Sequence, residues 1–64
     1  MKQVIGRCDS RYLIDNGDGT GYIYDVDSGT FYPPHGIVSL YAKLPWETPT
    51  DIPEDLMEIL LEED

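Results

Sequence analysis

The sequence predicts an α+β fold: a small curled antiparallel β-sheet of four to five strands in meander order, followed by one C-terminal amphipathic acidic helix. Three observations point there. Two turns rich in glycine and aspartate, at Asn16-Gly17-Asp18-Gly19-Thr20 and Asp27-Ser28-Gly29, bracket one short alternating segment, Gly21 to Val26. Prolines at 33, 34, 45 and 49 then punctuate the chain and end regular pairing. From residue 51 onward the apolar residues recur at helical spacing, with carboxylates filling the rest of the wheel. Sixty-four residues make a single domain, 1–64, divided into a β-meander over 2–42, a Pro-rich connector over 44–50 and a helix over 51–63.

Residues Lys2 to Cys8 form the first expected strand, because Val4 and Ile5 are β-branched and polar side chains alternate around them. Asp9-Ser10 supplies turn chemistry, and Arg11 to Asp15 makes the second strand. If Asn16 to Thr20 is a five-residue loop, Asp15 faces Gly21, Ile14 faces Tyr22, Leu13 faces Ile23, Tyr12 faces Tyr24 and Arg11 faces Asp25. That register pairs aromatic with aromatic or aliphatic side chains and sets an arginine opposite an aspartate, whereas a one-residue slip would turn one strand's faces over.

A three-residue loop at Asp27-Ser28-Gly29 would pair Val26 with Thr30 and Tyr24 with Tyr32. Tyr12, Tyr24 and Tyr32 then form a row across three strands, with Leu13, Ile23 and Phe31 on the opposite face. Two partly apolar faces imply either a sheet that curls toward a small barrel, or one that packs the helix on one side and meets a partner on the other. Pro33-Pro34-His35-Gly36 is expected to stop pairing, and Ile37 to Ala42 to form a last strand, although Leu40 and Ala42 also permit a helical turn. Trp46, the only indole, is expected to fold back over the core.

In the helix, Asp51 as N-cap with Glu54 three residues on reads as a capping box, with Pro53 tolerated in the first turn. Ile52, Leu56, Ile59 and Leu60 form the central apolar stripe, and Met57 and Leu61 widen it beyond the ~100° that docking on one sheet needs. Glu54, Asp55, Glu58 and Glu62 occupy the remaining arc.

The formal charge of −9 is unevenly placed. Lys2, Arg7 and Arg11 outnumber Asp9 at the start, residues 12–42 hold four aspartates and no base, and after Lys43 come eight acids and no base. Such a surface repels nucleic acid and anionic membranes and attracts basic protein surfaces; the blander reading is that the acids serve solubility alone. The opening residues lack the apolar run of a signal peptide, no stretch has enough consecutive apolar residues for a membrane span, and Cys8 is single, so a cytoplasmic, reducing setting is expected.

The sequence offers no constellation for catalysis, a cofactor or a metal. Cys8 and His35 are each alone of their kind, and no phosphate loop, dinucleotide fingerprint or zinc spacing occurs. The two aspartate-glycine turns fail the calcium-loop pattern. The first has Gly17 where a ligand belongs, the second lacks the third oxygen and the glutamate, and a strand separates them. Direct nucleic-acid binding would interleave aromatics with bases, and no base lies between Tyr12 and Ala42.

The expected function is therefore non-enzymatic: a small acidic protein that binds and blocks a basic, nucleic-acid-handling protein, its carboxylates standing in for phosphates. Tyr12, Tyr24, Tyr32, Trp46, Glu54, Met57, Glu58, Leu61 and Glu62 are the expected partner-binding residues. In size, charge and architecture the chain resembles the DNA-mimic anti-CRISPR and anti-restriction proteins that phages deploy, a likeness of general character that assigns no residue. The alternative is an assembly or accessory module, or a homodimer, joined through the apolar helix face or a strand edge.

Overall fold

The computed structural model of the chain describes residues 2–61. Its sheet is set by its turns. Asp9 and Ser10 join β1 (Gln3–Cys8) to β2 (Arg11–Asp15), with Asp9 in the left-handed region at φ 55°, where Asp is tolerated better than most side chains. Between β2 and β3 (Thr20–Asp25), Gly17 and Gly19 take φ of 89° and 92°. The β2–β3 register is the expected one at all five pairs, from Arg11 opposite Asp25 to Asp15 opposite Gly21. On the other side of β2, Val4 faces Ile14 but Gly6 faces Leu13, so Ile5 is the extra residue of a bulge.

The second hairpin differs from expectation by one residue. β4 (Thr30–Phe31) pairs Thr30 with Asp25 and Phe31 with Tyr24, so the loop is Val26 to Gly29 and not Asp27 to Gly29. The longer loop is held by the Gly29 N–H on the Asp25 carbonyl at 2.8 Å, with Gly29 at φ 68°, while Asp25 Oδ1 accepts the Asp27 N–H at 3.0 Å. Phe31 consequently takes the place expected for Tyr32, its ring 4.6 Å from that of Tyr24. The row is Tyr12–Tyr24–Phe31, and Tyr32 turns toward Ile23 and Arg11 on the opposite face.

Pro33 and Pro34 interrupt pairing only briefly. β5 (His35–Gly36) returns to the same edge of β3, opposite Thr20 and Gly21. Ile37 then donates its N–H to the Gly19 carbonyl, and β3 has run out. A strand over 37–42 would have no neighbour left to pair with, so the expected last strand is instead a short helix, α1 (Ile37–Tyr41), which buries Leu40 on the sheet. The connector crosses back to the far edge, where Arg7 and Glu47 exchange two backbone hydrogen bonds of 2.8 Å.

The last helix, α2 (Glu54–Leu61), begins three residues later than expected. A cap at Asp51 would require Ile52 to be helical immediately before Pro53, and the proline ring disfavours that conformation in its predecessor. Pro53 is instead the last non-helical residue, its carbonyl accepting the Met57 N–H at 3.0 Å. The expected extension through Glu63 lies outside the described residues.

Two small cores sandwich the sheet. On one face Tyr12, Ile14, Tyr24 and Leu56 are buried together, flanked by Val4, Tyr22, Val26, Ile59 and Leu60, so α2 covers the tyrosines. On the other, Leu13, Ile23 and Leu40 are buried with Ile5, Ile37 and Trp46 against them. The strands run in order β1-β2-β3-β4, with β5 beside β3, and the sheet does not close into a barrel. Helices on both faces bury what closure would otherwise have buried. Among the described residues no helix is long and apolar enough to cross a membrane.

Candidate functional site: the outer face of the acidic helix

Leu56 is the fully buried residue of α2, and Ile59 and Leu60 lean on the same core. Anchoring that side fixes the other. Glu54, Met57, Glu58 and Leu61 follow the i, i+3, i+4, i+7 spacing of one helix face and are all exposed, Met57 by 49% and Leu61 by 81%. Four residues at ~1.5 Å rise set the two glutamates ~6 Å apart along the axis. Neither Glu54 nor Glu58 has an ion-pair partner among the described residues. The face is thus a pair of open carboxylates alternating with two apolar side chains. Glu62, the fifth residue expected here, lies outside the described residues.

The other expected contacts are placed differently. Tyr12 and Tyr24 are core residues beneath α2, so neither offers a free surface. Tyr32 is exposed, on the face away from α2, where it borders a pocket of about 300 Å³ with Arg11, Ile23, Lys43 and Leu44. Trp46 folds back over the core as expected: it is half-buried against the second core, and its Nε1–H donates to the Leu40 carbonyl at 2.9 Å. The structure therefore gathers Glu54, Met57, Glu58 and Leu61 into one surface and leaves Tyr12, Tyr24, Tyr32 and Trp46 outside it.

Comparison of the chain with protein-family models, curated proteins and solved structures finds no match.

Elsewhere the polar groups serve the turns. Asp25 accepts the Ser10 hydroxyl at 3.0 Å through Oδ1 and faces the Arg11 Nε at 3.9 Å through Oδ2. The Thr20 hydroxyl and the Thr20 N–H both donate to Asp18 Oδ1, and these hydrogen bonds hold the Asp18 carboxyl below its usual range. Cys8 faces Arg11 at one end of the β1–β2 ladder, whereas His35 pairs with Gly21 at the other end of β3. Four residues of strand, roughly 13 Å, separate those ends. No group of three or more metal-ligating side chains occurs among the described residues.

Phe31, Val38 and Tyr41 are exposed apolar residues outside the expected partner-binding set. Val38 and Tyr41 are three apart, a helical spacing that fits α1 and not the strand expected over 37–42.

Proposed function

We propose that this chain is a non-enzymatic, acidic protein-binding inhibitor of the cytoplasm that uses the outer face of α2 to occupy a basic surface on a nucleic-acid-handling protein. One observation carries the reading: two unpaired carboxylates and two exposed apolar side chains share a face whose opposite side is locked into the core. Glu54 and Glu58 supply charge where a phosphate backbone would, and Met57 and Leu61 supply the apolar contact that gives residence time. The chain's net charge of −9 steers it toward a cationic cleft and away from nucleic acid itself.

The test is capture of partners by the intact chain, followed by displacement of labelled duplex from whatever basic protein is recovered. Displacement that weakens with salt and with joint Glu54→Gln and Glu58→Gln substitution supports the reading. Recovery of the chain alone, or of a complex on which duplex and chain bind together, contradicts it.

The assembly reading retains one supporting observation, the exposure of Met57 and Leu61, since an apolar helix face also suits a second copy. Its strand-edge version is disfavoured. β4 is two residues long and followed closely by two prolines, and Arg7 on the outer edge of β1 is already bonded to Glu47. Light scattering across a concentration series tests the version with a second copy, because self-assembly requires a mass that rises with concentration.

A further inference from the structure

On the face of the sheet away from α2, a groove of about 460 Å³ is lined by Ile5, Asp15, Ile37, Val38, Tyr41 and Ala42. Its formation is traceable in the sequence. The bulge in β1 falls at Ile5, and Gly21 leaves room for Ile37, whose Cδ1 would stand 2.5 Å from any Cβ added there. The one-turn helix α1 then holds Val38 and Tyr41 out, 81% and 56% exposed. Among these apolar walls Asp15 is the single charged residue. Its Oδ1 accepts the Gly17 N–H at 2.8 Å, which steadies the carboxylate, and Oδ2 has no partner among the described residues.

We propose that this groove receives an arginine or lysine side chain of a protein partner, the aliphatic stem against Ile5, Val38 and Ala42 and the cation shared by the Asp15 carboxylate and the Tyr41 ring. Long basic side chains have this composition, an apolar stem with a charged head, and a cation gains from an aromatic face as well as from a carboxylate. A neutral apolar occupant would strip water from Asp15 without replacing it. An anion would meet both Asp15 and the field of a chain carrying −9, and a second copy would bring another −9 to the contact. The choice of a protein as the source of the cation rests on the basic-partner reading, whereas the groove itself is separate from α2.

The test uses the intact, isotope-labelled chain and follows amide shifts during titration with three probes: a Gly/Ser peptide carrying one arginine, the same peptide with citrulline, and free butylguanidinium. Saturable shifts at Ile5, Asp15, Val38 and Tyr41 with the arginine peptide, and binding about fivefold weaker for citrulline, the factor one partly exposed ion pair supplies, support the proposal. Asp15→Asn should weaken the arginine peptide by a similar factor. Val38→Ser, at an exposed position, should weaken both peptides while leaving the rest of the spectrum in place. Equal binding of the citrulline peptide, shifts confined to α2, or tighter binding of butylguanidinium than of the peptide overturns it. The Glu54→Gln/Glu58→Gln chain should respond at the groove as the parent does. If the groove fails while salt-sensitive partner capture persists, the proposal for α2 stands without it.

Discussion

Gly6 lies under the indole of Trp46, and a Cβ built on it would come within 2.8 Å of the Trp46 Cβ. That atom is close to the backbone and cannot swing aside, so Gly6→Ala is expected to lift Trp46, break the bond from its Nε1–H to the Leu40 carbonyl and destabilise the fold by about 1–3 kcal/mol. Chemical denaturation with tryptophan fluorescence reads both the loss and the new exposure of the ring. At the β2–β3 turn, Asp18 is held below its usual carboxyl range first by the Thr20 hydroxyl and then by the Thr20 N–H. A depressed folded value means that the turn is tightened above the unfolded carboxyl range, about pH 4, and loosened as pH falls through the lower folded value. The Thr20 amide signal should shift in that acid window, and Asp18→Asn should abolish the shift without moving the signals of the β3–β4 turn. A Thr20 signal that titrates unchanged in Asp18→Asn would assign the effect to another group.

At the scale of elements, much of the fold was legible where local chemistry and pairing agree. The β2–β3 register follows from glycines at 17 and 19 and from side-chain pairs that only one alignment satisfies. What was not legible depended on neighbours that sequence does not display. The β3–β4 loop gained a residue because the Asp25 carbonyl and carboxylate gather the N–H groups of Gly29 and Asp27, and that one residue exchanged Phe31 for Tyr32 beside Tyr24. Segment 37–41 became a helix because β3 offered no further residues to pair. Glu54, Met57, Glu58 and Leu61 could be read from helical spacing alone, whereas the burial of Tyr12 and Tyr24 depended on which face α2 would choose. The late start of α2 yields its own prediction. Pro53→Ala removes the restraint on Ile52, so the helix should extend back to the Asp51–Glu54 capping box and raise helical circular dichroism. An unchanged helical signal would locate the obstacle elsewhere in the connector.

The molecule as a whole is a sheet covered by α2 on one side and by α1 with Trp46 on the other, yet among the described residues Phe31, Tyr32 and Ile52 stay exposed beside the apolar groups of the two helices. Those that remain exposed include Met57 and Leu61 on α2, and Val38 and Tyr41 on α1. The first pair stands beside glutamates and the second shares a groove with Asp15. Exposed apolar side chains set next to carboxylates suit a cationic partner with apolar stems better than they suit solubility alone, for which charge without apolar exposure would serve. The measurement that bears most directly on this account is the affinity of the intact chain for its captured partner at about 0.05 M and about 0.3 M salt, for the parent, the Glu54→Gln/Glu58→Gln chain and the Met57→Ser/Leu61→Ser chain. The account predicts a steep fall with salt for the parent, a shallower fall from a weaker start once the glutamates are neutralised, and a uniform loss at both salts when the apolar pair is replaced. Parent binding that ignores salt, with the glutamate substitutions silent, would contradict it.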